Sequence, residues 1–474
     1  MTRDNFFILA LVFFVFLASI LMPSVSTLIH PDSAGYIEFF DYRTSFYPFF
    51  LDTVSFIGLT IEYVPIIQVL IFSLSLYFLL KSLLSICSKN FLYFYVMILV
   101  ANIWFISQHK AILTESIYIS SIIVSIASLI FFLSKGSIKH MAIFSFMLGI
   151  SIGIRPSGIA MLSIFPVALL AANNRFNKFR WAWIFALVIP IMLTQAIESS
   201  LYKRYHGDIE RGSILPVIIF GKGAMIGSDF KFNGPYKKVL SEFSDELDLE
   251  YEDIRLFVKE IPYFWLKGQS LSNYEIYAQF NVLRNKRDYF AKKAGVERDQ
   301  LIMELGKQRI LQGIGQWIEN SIHYYFASWG LRSTSFPAFV SEYNDWILKQ
   351  ENIPLNSSIK YLPLKGDLKV SYISMVVFPL LLAAGILSVF SGLIFLVMII
   401  LRKNIPLALM LSGILSIGVH TMILFSSFVN VATPRYTTTQ FPILLLALLL
   451  FLFWILRIIS NTQIFSRKRM DDTM

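Results

Sequence analysis

Phe6-Phe-Ile-Leu-Ala-Leu-Val-Phe-Phe-Val-Phe-Leu-Ala-Ser-Ile-Leu-Met22 contains no charged residue and a single hydroxyl. At a helical rise of about 1.5 Å per residue, a run of this length nearly crosses the hydrocarbon layer of a bilayer. Its hydrophobicity is continuous rather than alternating, which selects a helix over a barrel strand, because backbone groups in hydrocarbon must be paired within the segment. A secretory signal peptide would look similar. This run lacks a small-x-small cleavage site and is followed by others like it, so it reads as a retained anchor. Working outward, comparable runs fall at 63–82, 91–108, 115–133, 140–154, 156–172, 181–200, 372–400, 405–428 and 439–458. The expectation is an all-α polytopic membrane protein with about ten transmembrane helices.

Composition agrees. Of 474 residues, 56% are hydrophobic and only 15% are charged, against about 25% charged in a soluble domain. A net charge of +10 invites a nucleic-acid reading. Membrane proteins carry excess Lys and Arg for topological reasons, so no nucleic-acid partner is expected. With the N-terminus in the cytoplasm, the inner loops hold 14 basic residues, from Arg3 through Lys135, Arg175 and Arg402 to the tail at Arg467–Arg469. The short outer loops hold four: Arg43, Lys110, Arg155 and Arg435. That bias sets the orientation, with both termini cytoplasmic. It also decides 370–400: a hairpin there would put Arg402 and Lys403 outside, so one long or tilted helix is expected. The Phe-, Ile- and Lys-rich composition suggests an AT-rich, bacterial genome, and the expected location is then the bacterial inner (plasma) membrane. With one cysteine, Cys87, no intramolecular disulfide can form.

Three regions follow: an N-terminal module of seven spans (1–200) with a first loop at 24–62, an extracytoplasmic helical domain (201–369), and a C-terminal module of three spans (370–474). The insert reads as helical, with apolar residues from Leu301 to Ile322 at i, i+3/i+4 spacing.

The four outward basic residues are the informative exceptions, since ionisable groups at the membrane edge are costly. The first loop carries Asp32, with Tyr36 one helical turn on and Arg43 beyond. Asp32 either caps the turn 33–38 or stands as a base for an incoming hydroxyl. Glu115 opens the fourth span, where a helix dipole favours a carboxylate; His109 and Lys110 precede it. Arg155 lies between the fifth and sixth spans before Pro156, which suits a first helical position. It is either a snorkelling anchor or a phosphate clamp. Arg435, followed by Tyr436, precedes the last span, and a guanidinium offers a planar fork of donors to phosphate.

In this order, His30-Pro-Asp32 with Tyr47-Pro48, Leu113-Thr-Glu115, Arg155-Pro-Ser-Gly158, Ile318 to Tyr325 and Pro434-Arg-Tyr436 resemble the C-type (GT-C) glycosyltransferases. That superfamily includes protein O-mannosyltransferases, the lipid A aminoarabinose transferase and bacterial lipopolysaccharide-modifying transferases. The resemblance covers most of the membrane portion. It implies an inverting transfer of sugar from a polyprenyl-phosphate donor to a lipid-linked or cell-surface glycan acceptor on the extracytoplasmic face. Asp32 would be the catalytic base and Glu115 a second acid. Arg155, Arg435 and Tyr436 would contact the lipid phosphate, with His109 and Lys110 lining the same pocket and Tyr36 and Arg43 on the substrate side. Many members carry paired acids in the first loop; here Ser33 and Ala34 follow Asp32. A divalent cation (Mg or Mn) therefore has no paired-acid motif to support it, no cofactor is expected, and Glu38 or Asp41 is left to share the load. The rival readings are a polysaccharide polymerase or ligase, which concentrates Arg and His in a late loop, and a lipid-linked-oligosaccharide flippase, which would show internal repeats.

Overall fold

The structure, a computed structural model, describes residues 2–22, 28–30, 32–177, 180–227, 229–262, 264–280, 284–329, 372–431 and 434–471. Among them there is helix and no strand. Eight helices among the described residues are long and apolar enough to cross a membrane, so the chain is an α-helical integral membrane protein. Two runs expected as spans are shorter. The 91–108 run is interrupted at Asn102, whose side chain accepts from the Phe105 amide at 3.1 Å and starts a new helix. The other, 140–154, belongs to a helix of 17 residues.

The described residues divide into two compact units. The first comprises Met1–Arg211, Pro379–Met422 and Thr438–Met474; the second comprises Gly212–Phe378 and Ile423–Thr437.

In the first unit the order is α1 (Arg3–Leu21), α2 (Ser33–Ile37), α3 (Phe46–Phe56), α4 (Val64–Leu83), α5 (Lys89–Ala101), α6 (Ile103–Ser107), α7 (Glu115–Lys135), α8 (Ile138–Ile154), a 3-10 turn (Pro156–Ser163), α9 (Ile164–Phe176) and α10 (Trp181–His206). Burial identifies the centre: α7 is almost wholly buried, whereas α1 and α10 bury few of their residues. Serines make this possible. Ser120, Ser121 and Ser128 return their hydroxyls to carbonyls one turn back, and Ser125 donates to Phe144 O of α8 at 2.8 Å. Small residues of this kind let helices approach where lipid supplies no hydrophobic drive. Gly153 of α8 works in the same way: a Cβ there would lie 2.5 Å from the Phe46 ring.

The second unit holds α11 (Leu215–Ala224), α12 (Lys237–Glu260), α13 (Phe264–Phe280), α14 (Arg284–Ala294), α15 (Arg298–Gln312) and α16 (Ile314–Ser328). The periodic stretch from Leu301 to Ile322 is thus two helices. They part at Gly313, where a Cβ would stand 2.2 Å from Ile226. Phe220, Phe243, Leu247, Tyr251, Leu305 and Tyr324 lie in its core. Buried charges there are paired: Lys222 with Glu275 at 3.1 Å, and Arg309 with Asp248 at 2.7 Å. On the surface, Gln308 and Gln312 of α15 and Gln316 of α16 follow one another at intervals of four residues. Each amide exchanges two hydrogen bonds with the backbone of Asn233, Lys231 and Gly227 respectively. Beside this ladder a cleft of about 560 Å³ opens among Asp229, Glu252, Arg255, Lys267, Asn320 and His323.

The chain continues as α17 (Tyr372–Ile400), α18 (Leu407–Val429) and α19 (Pro434–Asp471). The first is a single uninterrupted helix, as the charge argument for Arg402 and Lys403 expects.

Candidate functional site

Three loops of the first unit meet. The turn after α1 is stitched to the loop before α7: Ile112 N donates to Leu28 O at 2.9 Å, and the Ser33 hydroxyl donates to Ile112 O at 2.8 Å. Ser33 also accepts from His30 N at 2.8 Å, which closes the turn bearing Asp32. From α4, Gln68 donates to His109 O and Ala111 O at 3.1 and 2.9 Å and accepts from the Tyr47 hydroxyl at 3.0 Å. A third connection reaches the end of α8, where the Thr44 hydroxyl donates to Ile154 O at 2.9 Å.

Two ion pairs result, with Tyr36 between them. Arg43 Nη2 meets Asp32 Oδ1 at 3.2 Å, and its Nη1 donates to the Tyr36 hydroxyl at 2.9 Å. Arg155 Nη1 donates to Glu115 Oε1 at 2.8 Å. The first pair is partly open, with side-chain exposures of 20% and 39%; the second is closed, at 10% and 1%. Tyr36 feels both. Burial raises its pKa above the ordinary tyrosine value, Arg43 opposes that, Glu115 adds to it, and Arg155 and a hydrogen bond with Thr114 oppose it again. Tyr47 packs edge-on against Tyr36, 5.3 Å between centroids, and the Arg155 guanidinium lies 5.9 Å from the Tyr118 ring. Gly35 leaves room for this arrangement, since a Cβ there would be 3.0 Å from Arg43 Nε.

Of the residues singled out in the sequence, Asp32, Tyr36, Arg43, Glu115 and Arg155 therefore form one cluster. Lys110 and His109 are placed otherwise. The Lys110 ammonium donates to Ile20 O at 3.0 Å and to Met22 O, where a cation complements the carbonyl end of α1. His109 is fully buried, stacked on Phe72 at 4.0 Å, with Nδ1 on the Ser116 hydroxyl at 2.8 Å. Burial lowers its pKa to about 3, so its ring is neutral at neutral pH and brings no positive charge to a phosphate. Glu38 and Asp41 are exposed; the Asp41 carbonyl accepts from the Tyr202 hydroxyl at 2.9 Å. Arg435 and Tyr436 open α19, and their side chains lie outside the described residues.

The sequence reading passed over Gln68 and Glu198, and it gave no site role to Ser33, Tyr47 or Thr114. Gln68 and Glu198 did carry a signal, each being a strongly polar residue inside an apolar run. Among the described residues no group of three or more His, Cys, Asp or Glu gathers as metal ligands would.

Chemically, the cluster offers a half-exposed carboxylate held by a guanidinium, a buried phenol, and a second guanidinium that donates to a buried carboxylate. Compared with protein-family models, curated proteins and solved structures, the chain matches none of them.

Proposed function

We propose that this chain is an inverting glycosyltransferase with a GT-C-like fold and about ten spans. It would work on the outer face of a bacterial inner membrane, moving a sugar from a polyprenyl-phosphate donor to a glycan or glycolipid acceptor. The observation that carries the reading is the Asp32–Arg43–Tyr36 and Glu115–Arg155 cluster, drawn from three loops that the charge bias assigns to one side. A carboxylate with 39% of its side chain exposed can receive a proton from an incoming hydroxyl.

In this mechanism Asp32 takes the proton of the acceptor hydroxyl as its oxygen bonds to the anomeric carbon. The bond from that carbon to the phosphate oxygen breaks, and polyprenyl phosphate leaves with the electron pair. One displacement inverts the centre. Negative charge grows on the leaving phosphate, and the guanidinium of Arg155 stabilises it; the resemblance alone assigns Arg435 to the donor phosphate. Glu115 accepts from Arg155 Nη1 at 2.8 Å and so restrains the guanidinium beforehand, which limits the reorientation left for the moment of reaction.

Native mass spectrometry of the purified chain tests the donor class: a co-purifying polyprenyl monophosphate or its sugar conjugate is expected. Asp32→Asn should remove a glycan modification from cells while the protein remains inserted, a loss of about 10²–10⁴-fold. Unchanged glycan would sink the assignment of the base. Arg435→Ala should weaken donor binding; normal affinity there would refute the clamp.

A further inference from the structure

Arg43 is the cluster residue whose backbone is held from both sides. Residue 41 is tied through its carbonyl to the Tyr202 hydroxyl at 2.9 Å, residue 44 through its hydroxyl to Ile154 O at 2.9 Å, and residue 45 to Glu198. The last connection is the most elaborate. Glu198 Oε1 accepts the Ser45 amide at 2.9 Å, and the Ser45 hydroxyl is shared between Glu198 O at 2.8 Å and Oε1 at 3.1 Å. Arg211 Nη2 then closes on both carboxylate oxygens, at 2.8 and 2.9 Å, with its guanidinium 4.3 Å from the Tyr202 ring. Ile154, on the other side, immediately precedes Arg155, so the same loop also registers the two guanidinium groups against each other.

A carboxylate exposed by only 3% is an expensive way to fasten a loop, because a well-packed apolar contact usually serves stability as well or better. A carboxylate can do one thing an apolar side chain cannot: it accepts from a backbone amide and a guanidinium together, in a fixed geometry. A second observation on the same loop points the same way. Phe39 sits at φ +46°, a left-handed conformation that costs a bulky residue strain. Its ring is held against Tyr205 and His206 at 5.0 and 4.4 Å. The end of α10 thus over-determines the first loop at two places.

We infer that Glu198, clamped by Arg211, is a positioning residue that sets where Arg43 meets Asp32 and Tyr36. The inference rests on the proposed reading of Asp32 and Arg43 as site residues. It assigns Glu198 no contact with substrate; its effect passes through the backbone of Thr44 and Ser45.

The test uses the full chain in nanodiscs, with Glu198→Gln and, as a milder variant that keeps the buried charge pair, Ser45→Ala. Hydrogen exchange should accelerate about tenfold or more in residues 41–46 and stay unchanged elsewhere in the first unit. Turnover is read as release of polyprenyl monophosphate from the sugar-lipid fraction of the source membranes. It should fall about 10–100-fold in kcat for Glu198→Gln, with donor KM within about twofold. In an Arg43→Ala background the same substitution should add nothing further. Unchanged exchange at 41–46, loosening spread through the whole unit, or additive losses in the double variant would each overturn the inference. A parent chain that releases no polyprenyl monophosphate would sink the proposed activity alone; the exchange measurement still decides whether Glu198 sets the loop.

Discussion

Arg155 Nη1 donates to Glu115 Oε1 at 2.8 Å, joining the residue after α8 to the first residue of α7. With Glu115 exposed by 1%, removing its partner leaves a buried charge. Arg155→Met should therefore cost about 3–5 kcal/mol, visible as a lower unfolding midpoint in detergent. Adding Glu115→Leu should recover most of that loss. A single variant as stable as the parent would show that the pair does not hold these elements.

His109 gives a pH dependence whose sign can be worked out. Its folded pKa lies near 3, because burial disfavours the charged ring, against 6.5 when unfolded. Between those values the unfolded chain binds a proton that the folded chain does not. Stability from this group is complete above about pH 6.5 and declines as pH falls toward 3, by up to about 1.4 kcal/mol per unit. His109→Gln should flatten that decline in a thermal-shift series from pH 7 to pH 4. An unaltered slope would mean that other groups carry it.

Two glycines should respond oppositely. Gly153→Val places a side chain 2.5 Å from the Phe46 ring and should destabilise by about 1–3 kcal/mol. Gly315, with nothing within 4 Å of a Cβ, should accept Ala with a gain of up to about 1 kcal/mol. Equal thermal shifts for the two would refute the close approach of α3 to α8.

The glutamine ladder should govern how tightly residues 227–233 are held. Gln312→Ala removes two hydrogen bonds to Lys231, each worth about 0.5–1.5 kcal/mol. Faster proteolytic cleavage near Lys231, with the rest of the second unit still protected, is expected. A cleavage rate equal to the parent's would show that the ladder does not restrain this segment.

Much of the architecture was legible from residues alone. All of the run Phe6–Met22 but its last residue, the C-cap Met22, lies within α1, and the stretch 372–400 is one helix, as the charge argument from Arg402 and Lys403 expects. Legibility failed at Asn102 and Gly313. There a side-chain cap and a close approach to Ile226 end helices whose apolar periodicity runs on. In the site, Asp32, Glu115 and Arg155 were visible as charges at the membrane edge. His109 and Lys110 were visible too, but their uses were not, since stacking on Phe72 and capping α1 depend on neighbours far along the chain.

What the sequence by itself determined is therefore the solvent of the protein, and its Lys/Arg bias gave an expectation for the side on which the exceptional charges fall. Hydrophobic run length and Lys/Arg bias are properties of short segments, so they need no knowledge of partners. Only the tertiary structure decided which charges pair. Arg43 joins Asp32 and Tyr36, Arg155 joins Glu115 over a separation of 40 residues, and Glu198 reaches back 153 residues to Ser45. Each cation had several acids within its conceivable reach. Helix packing around the buried α7 selected one, because a charge at a low-dielectric edge is tolerated only where its partner is brought to it.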